Sequence, residues 1–186
     1  MMMASLEEKI IMEDKHMEEI RTTVSFNDFK NVFKIFEGYP FFEKWSEEDL
    51  KEEYEYYFEK GGFILGYFIH NECVSILALY PYVKGKHPVR YNERQKVMYL
   101  SDIATLESYR NQGIGTQMLQ KSLEISKKMG YDYMYLRTNT EDISMSAGIA
   151  KKVGFVKIPD ASQYVEMIRS DGKVHKDLRI FLEKKL

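Results

Sequence analysis

The chain has 186 residues, 44% of them hydrophobic and 14% aromatic, and this size and composition predict one globular domain around a single core. A formal net charge of −2 gives no overall attraction to nucleic acid, which is usually bound by a basic face. The only cysteine, Cys73, excludes an intramolecular disulfide, so a reducing, cytoplasmic location is the simpler expectation.

The first residues, MMMASLEEKIIMEDKHMEE, are acidic and lack a basic flank followed by a long apolar stretch. This pattern is typical of neither a signal peptide nor a membrane anchor. We expect residues 1–15 to be a flexible tail and residues 16–186 to form the single domain, with no membrane as partner.

The first predicted elements are a strand and a helix. Residues 16–25 alternate loosely and end in β-branched types, which favours a strand. Apolar side chains then recur at helical spacing over residues 26–36, after a cap at Ser25 or Asn27.

A second helix and a β-hairpin follow. Ser46 and Asp49 form a capping box before the helix LKEEYEYYFEK, which the glycine pair at 61–62 ends. The β-rich runs GFILGYFIH and CVSILALYPYV flank a polar turn at residues 71–72, and this pattern predicts an antiparallel hairpin.

The middle of the chain predicts a loop, a strand, a helix and another strand. Residues 84–96 are basic and interrupted by proline, so we expect a solvated loop. A strand over 97–106 leads to a helix of about four turns that ends at Gly130. Residues 131–137 form the next strand.

The last part of the chain predicts a helix and two strands. Asn139 and Asp142 are candidate caps of a helix that ends at Gly154, and a strand begins at Phe155. An Asp-Gly pair at 171–172 signals a final hairpin. The fold class is therefore α+β (mixed α/β), with one sheet of about seven strands, about four helices and the order β-α-α-β-β-β-α-β-α-β-β.

The segment YRNQGIGTQMLQ, residues 109–120, places two glycines at a strand-to-helix turn. A helix N-terminus carries free N–H groups, and glycines before it let a phosphate approach the backbone. The same glycines also suit a plain tight turn, and the pattern alone leaves both interpretations open. A P-loop would need a lysine before Thr116, and a dinucleotide fingerprint would need a third glycine at Met118.

The run Arg110-Asn111-Gln112-Gly113-Ile114-Gly115 resembles the pyrophosphate loop of the GNAT superfamily of acetyl-CoA-dependent N-acetyltransferases, Arg/Gln-x-x-Gly-x-Gly/Ala. SDIATLESYRNQGIG resembles the family's fourth strand with this loop, and KKVGF resembles the end of its last helix. The element order agrees with the family over roughly residues 16–182.

The resemblance implies a site for acetyl-CoA. Asn139, just past the fifth strand, is one candidate contact, with a helix cap as the equal alternative. The backbone near the fourth strand's end is expected to pair with the pantetheine arm as an added strand would. The implied cofactor-binding residues are Ile103, Ala104 and Thr105 for pantetheine, and Arg110, Asn111, Gln112, Gly113, Ile114, Gly115 and Thr116 for the pyrophosphate.

Acetyl transfer to an amine needs a base that removes the amine proton and a donor to the developing oxyanion. Asp102 is the first candidate base because it interrupts an apolar strand directly before the pantetheine segment; the alternative is a surface-facing or substrate-anchoring aspartate. Glu107 is the reserve. Alternation places Ser101 on the opposite side of the strand unless a bulge intervenes. A main-chain N–H near Ile103 or Ala104 is the expected oxyanion donor.

The general acid is where the chain departs from the family. Many members carry a tyrosine four residues before the glycine of the Gly-Phe pair, and this chain has Ala150 there. The hydroxyls of Ser144 and Ser146 are nearby alternatives. The four histidines are scattered without metal-ligand spacing, so no metal is expected.

The sequence thus predicts an N-acetyltransferase that moves an acetyl group from acetyl-CoA to a primary amine of a small molecule or peptide in a ternary complex. The alternative is a non-catalytic acyl-CoA-binding module. Residues 37–59 combine nine acidic side chains, two lysines and eight aromatic rings, and this mixture suits either a cationic acceptor or a plain amphipathic helix with a solvated acidic face. No nucleic acid partner is expected, and a homodimer stays open.

Overall fold

The computed structural model describes residues 18–38, 45–139, 146–168 and 172–186. The expected tail over 1–15 lies outside these ranges, as do Asp142, Ser144 and Asp171. The described residues form seven strands and four α-helices in the predicted order: β1 (Glu18–Arg21), α1 (Phe26–Phe33), α2 (Glu47–Glu59), β2 (Phe63–Ile69), β3 (Glu72–Pro81), β4 (Val97–Thr105), α3 (Ile114–Lys128), β5 (Tyr133–Asn139), α4 (Ser146–Lys152), β6 (Val156–Ile168) and β7 (Val174–Lys185).

One mixed sheet holds all seven strands, in the order β1-β2-β3-β4-β5-β7-β6. Every neighbouring pair is antiparallel except β4 and β5, which run parallel. Parallel neighbours need a crossover, and α3 supplies it between these two strands. The structure confirms the predicted α+β class and its single sheet.

Helices cover both faces of the sheet. On one face, α1 and α2 bury Phe29, Phe33, Leu50 and Tyr57. On the other face, α3 packs its buried Met118 and Leu119 with residues of α4. The sheet is thus the middle layer between two apolar clusters.

The first hairpin turns one residue earlier than predicted. Its turn residues are His70 and Asn71, with φ angles of 50° and 65°, and Glu72 already pairs with Ile69. Positive φ at both central residues is the conformation of a type I′ turn, whose twist matches that of the flanking strands. Asn tolerates it well, whereas Glu at the second position would not.

The loop over residues 84–96 is less solvated than predicted. His87 and Val89 are buried, and Tyr91 is half-buried with its hydroxyl donating to Glu183 at 2.8 Å. The loop therefore packs on the face that carries α1 and α2. The basic residues around these positions stay exposed, which is why composition indicated a solvated segment.

Cys73 is buried in β3, and burial raises the pKa of its thiol to about 12. A thiol of that kind packs as a small apolar group and does not ionise near neutral pH. No helix in the described ranges is long and apolar enough to cross a membrane.

The starts of α1 and α2 both carry capping boxes; the box at Ser46 was predicted, and Ser25 is the cap of α1 in place of the alternative Asn27. The Ser25 hydroxyl accepts from the N–H of Asp28, and the Ser46 hydroxyl accepts from the N–H of Asp49 at 3.1 Å. The Asp49 carboxylate in turn accepts from the Ser46 hydroxyl at 2.6 Å and from the Ser46 N–H at 2.8 Å, and these hydrogen bonds lower the pKa of Asp49. Each box satisfies two backbone donors at a helix start.

Replacing Ser46 by alanine removes the cap of α2 and is expected to lower the free energy of unfolding by about 1 kcal/mol. Urea titration followed by circular dichroism measures this change. Ser108→Ala, at an exposed position in the turn after β4, is the matched control and should leave stability unchanged. Equal stability of the two variants would contradict a stabilising role of the cap.

Candidate active site

Strands β4 and β5 diverge halfway along their length. Their parallel pairing joins Val97–Leu100 to Tyr133–Leu136 and ends there. Beyond this point β4 continues along β3 to Thr105, whereas β5 continues along β7 to Asn139. The two strands therefore form the walls of a V-shaped slot in the middle of the sheet.

The slot is a narrow cavity of about 130 Å³ that connects the two faces of the sheet. Phe36 borders it on the side of α1, and Leu119 and Ile149 border it on the side of α3 and α4. The two strands contribute the remaining lining residues: Leu100, Ser101, Asp102, Ile103, Leu136 and Arg137.

The hydrogen-bond pattern of β4 decides which of its backbone groups face the slot. The N–H of Leu106 donates to the carbonyl of Val74, so these two residues form a hydrogen-bonded pair of the antiparallel ladder. Such pairs alternate along a ladder, which turns the backbone groups of Ala104 towards β3. The same alternation turns the backbone groups of Ile103 and Thr105 towards the slot.

A β-bulge brings Ser101 and Asp102 to the same cavities. Ala78 pairs with Asp102 and Leu79 pairs with Leu100, so Ser101 is the extra residue of the bulge. Both Ser101 and Asp102 line the slot and also the larger cavity beside it. Strict alternation would have separated them, and the bulge removes that separation.

The Asp102 carboxylate contacts a buried tyrosine. Its Oδ2 lies 2.7 Å from the Tyr57 hydroxyl oxygen, and the same hydroxyl lies 2.7 Å from Oε1 of Glu53. Glu53 and Tyr57 are one turn apart on α2, and Tyr57 is fully buried. Burial, and secondly the charge of Asp102, raises the pKa of Tyr57 well above its usual value, so the phenol keeps its proton.

A second cavity, of about 420 Å³, opens on the face of α1 and α2. Ser101, Asp102 and Arg137 line both this cavity and the slot, so the two spaces meet at these three residues. The remaining lining residues are mainly aromatic or charged: Phe33, Trp45, Glu53, Tyr56, Tyr80, Lys86, His87 and Tyr99.

Lys86 and His87 give the cavity two different nitrogen groups. The Lys86 ammonium donates to the hydroxyls of Tyr56 and Tyr80 at 2.9 and 2.7 Å and lies 4.9 Å from both ring centroids. His87 pairs its Nδ1 with the Tyr135 hydroxyl at 3.0 Å. Burial, with the nearby charges of Arg137 and Lys86, lowers the pKa of His87 to about 4, so this imidazole is neutral at pH 7.

The glycine loop sits at the mouth of the slot on the α3 side. Gly113 is the residue before α3 and has a φ of 83°, a left-handed conformation that favours glycine. Hydrogen bonding of the helix begins with the N–H groups of Thr116 and Gln117, which both donate to the Gly113 carbonyl. Among the described residues, the preceding amides over 111–115 have no backbone acceptor.

Gly115 allows α3 to approach the slot. A Cβ atom built there would lie 3.1 Å from Cδ1 of Ile149 and 3.7 Å from Cδ1 of Ile103. Both of these residues line the slot, so a side chain at 115 would project towards it. Arg110 stiffens the same region because its Nε donates to the Thr105 carbonyl at 3.1 Å.

The sequence profile described as the acetyltransferase (GNAT) family matches residues 29–155. This range is more than half of the chain and contains the loop, both walls of the slot and α2. The chain belongs to the GNAT acetyltransferase family. This family is one of acyltransferases, and the resemblance to it that the sequence indicated is confirmed.

Individual acetyltransferases also match the chain. Streptothricin acetyltransferase A from Bacillus subtilis (strain 168) is 28% identical over 108 residues, which are 58% of this chain and 54% of that protein. The match thus spans about half the length of this curated relative.

Solved structures share the fold over nearly the whole chain. An N-acetyltransferase from Staphylococcus aureus Mu50 has a TM-score of 0.69 at 13% identity, with 90% of this chain and 98% of that one covered. A ribosomal-protein-alanine N-acetyltransferase from Brucella melitensis gives 0.66 at 15%, with 90% and 99% covered. A Salmonella typhimurium protein solved with its cofactor acetyl-CoA gives 0.64 at 12%, with 91% and 94% covered.

Other predicted site residues lie further from the junction of the cavities. Glu107 is exposed in a short 3-10 turn and lines neither cavity, so the structure does not bring it together with Asp102. Asn139 is the buried last residue of β5, where it pairs with Arg179 of β7. Ala150 is fully buried in the GNAT domain's α4, and Ser144 and the side chain of Ser146 lie outside what the structure describes.

Sequence reasoning missed several residues of the site, among them Glu53, Tyr57, Lys86, His87 and Arg137. Glu53 lay within the segment marked as acidic and aromatic, but its i, i+4 spacing with Tyr57 did not set it apart, because Glu52 and Tyr56 have the same spacing. His87 and Lys86 belong to the loop that composition had assigned to solvent. In the described part of the chain, no group of three or more His, Cys, Asp or Glu side chains is placed to hold a metal ion.

Replacing Gly115 by valine is expected to abolish the rise in melting temperature that coenzyme A, or desulfo-CoA, causes in the unmodified GNAT domain. The valine side chain would crowd Ile149 and fill the slot from the α3 side. Gln120→Val, at an exposed position of the same helix, is the control and should keep the full rise. A folded Gly115→Val protein that keeps the full rise would show that coenzyme A binds elsewhere.

Proposed function

We propose that this chain moves an acetyl group from acetyl-CoA to a primary amine by direct attack while both substrates are bound. The observation that carries the proposal is the position of Asp102 at the junction of the slot and the larger cavity. A carboxylate there faces both the space suited to a donor and the space suited to an acceptor. A reducing cytoplasm is part of the proposal and is supported by the single, buried thiol of Cys73.

The donor side fits the pyrophosphate and pantetheine of acetyl-CoA, which supplies the acetyl group as an activated thioester. The amides of Asn111, Gln112, Gly113, Ile114 and Gly115 precede the first hydrogen bonds of α3, so they are available to phosphate oxygens at a positive helix end. For Thr116 the amide already donates to Gly113, which leaves its hydroxyl as the donor. Ile103 and Thr105 offer the N–H groups that an extended arm in the slot would use.

On the acceptor side, Asp102 removes the proton from the amine. An amine carries a proton near neutral pH and cannot attack until a base takes it. The Ile103 N–H points into the slot and is the favoured oxyanion donor, whereas the Ala104 N–H points to β3. Ala150 offers no proton to the departing thiolate, and a thiol pKa of about 8.5 means that a strong acid is not needed there.

Asp102→Asn is expected to lower kcat at neutral pH by roughly 10²-fold or more while coenzyme A binding stays unchanged, because the amide cannot accept the amine proton. Steady-state kinetics over pH 6–9 and thermal shift with coenzyme A measure the two effects. Asp160→Asn, at an exposed position of β6, is the control. Full turnover of the Asp102 variant across this range would exclude the aspartate as the base.

The acceptor that we propose is a cationic amine. The rings of Trp45, Tyr56 and Tyr99 line the larger cavity and suit one ammonium group next to Asp102. Lys86 and Arg137 line it as well and would repel a second positive charge inside. Further charges of a polyamine are therefore expected to lie outside, along the acidic face of α2, where Glu47, Glu48, Glu52, Glu55 and Glu59 are exposed.

Small polyamines, aminoglycoside-like amines and streptothricin are expected to be better acceptors than glutamate. Their KM should rise as salt increases from about 0.05 to 0.5 M, because screening weakens the attraction of the exposed carboxylates. Glu48→Gln should raise KM for a polyamine at low salt, while Glu124→Gln, on the opposite side of the sheet, should not. A negatively charged best acceptor, or a KM for polyamines that ignores salt, would contradict this acceptor class.

A further inference from the structure

The contacts of the Tyr57 hydroxyl determine how many protons this part of the site must hold. Its oxygen lies 2.7 Å from Oε1 of Glu53 and 2.7 Å from Oδ2 of Asp102, and both distances are those of good O–H···O hydrogen bonds. A tyrosine hydroxyl has one proton, and ionised carboxylates only accept. Two such bonds along three oxygens need two protons, so one carboxyl group must carry the second.

We propose that Glu53, Tyr57 and Asp102 form one acid–base unit that holds a single carboxyl proton, which rests on Glu53 and leaves Asp102 ionised. In this state the Glu53 carboxyl donates to the Tyr57 oxygen, and the Tyr57 hydroxyl donates to Asp102. The inference rests on the proposed function of Asp102 as the base and adds two positioning residues to it.

The surroundings favour Glu53 as the holder of the proton. Burial, and secondly the charge of Asp102, raises the pKa of Glu53 above its usual value. The Tyr57 hydrogen bond and, to a smaller extent, Lys86 lower the pKa of Glu53, and Arg137 lines both cavities together with Asp102. The other titratable groups around the unit are Tyr80 and Tyr99, whose pKa values burial raises, and His87, which is neutral at pH 7.

This arrangement provides a proton-transfer path from the acceptor amine to water. The N–H bond of the acceptor ammonium breaks as an O–H bond forms on Asp102, and Glu53 releases its own proton to water through the larger cavity that it lines. The Asp102 proton then moves to the Tyr57 oxygen while the Tyr57 proton moves to Glu53. The unit returns to its resting state after one proton has entered and one has left.

Infrared difference spectroscopy of the resting full-length protein at pH 7 tests the proton count without any substrate. The expected result is a carbonyl band of a protonated carboxyl group that Glu53→Gln removes and Glu52→Gln, an exposed neighbour, retains. A spectrum without a band sensitive to Glu53→Gln would overturn the proposal.

The pH dependence of kcat gives a second test, because a protonated and an ionised Glu53 predict different effects of Glu53→Gln. The acid limb of the pH profile is the range in which kcat falls as the pH is lowered. Tyr57→Phe removes the hydrogen bond that favours ionised Asp102, so this limb should move up by about one pH unit. Glu53→Gln should leave the acid limb in place, because the amide donates to Tyr57 as the protonated acid does, and should lower kcat about tenfold because the exit is lost. If Glu53 were ionised instead, its removal would take away a negative charge and move the acid limb down.

The two tests separate this inference from the proposed function. If Asp102→Asn abolishes turnover but no Glu53 band exists, Asp102 is the base and the shared proton is wrong. If the Glu53 band exists and Asp102→Asn keeps full turnover, the shared proton stands as a property of the resting site, but its role in catalysis and the base assignment are both wrong. The infrared result needs neither Tyr57→Phe nor activity, so a poorly folding variant does not prevent a decision.

Discussion

The early end of the pairing between β4 and β5 is the constraint on which the site depends. Four residue pairs hold the two strands together, and beyond Leu100 and Leu136 each strand follows its other neighbour. Backbone groups on the inner edges of both strands then lack a strand partner, which a buried sheet does not tolerate without another hydrogen-bonding group. In the proposed function, the pantetheine arm supplies such groups, so the same break that weakens the sheet provides the proposed binding slot.

The bulge at Ser101 gives this slot its carboxylate. It lets Ser101 and Asp102 reach the same two cavities and places a carboxylate at the point where they meet. Around that point the described phenols keep their protons at neutral pH, because burial raises the pKa values of Tyr57, Tyr80, Tyr99 and Tyr135. Tyr57 donates a hydrogen bond to the Asp102 carboxylate and Tyr80 accepts one from the Lys86 ammonium, and neither phenol adds charge of its own.

Much of the fold followed from local patterns in the sequence. The candidate cap at Ser25, the capping box at Ser46 and the periodicity of the helices gave the element order, because these signals depend on residues a few positions apart. The glycine loop was recognised for the same reason, and the structure adds that Gly113 has a left-handed φ of 83°, which favours glycine. The predicted position of the first hairpin turn was wrong by one residue, because His70 gave no turn signal of its own.

The rest of the site depends on contacts between distant segments. The bulge arises from the pairing of β4 with β3, and His87 is buried only because its loop folds back onto the sheet. The hydrogen-bonded group of Glu53, Tyr57 and Asp102 joins α2 to β4, with 45 positions between Tyr57 and Asp102 in the sequence. No local pattern in either segment specifies this contact. Long-range geometry of this kind needs the folded chain.

Release of free thiol from acetyl-CoA, measured across amine classes with mass analysis of the products, tests the central claim most directly. The account predicts release that depends on the added amine, with one acetylated amine formed for each thiol, and with the highest rates for cationic acceptors. Binding of acetyl-CoA without amine-dependent thiol release from any class would contradict the account and would favour a binding module that does not transfer the group.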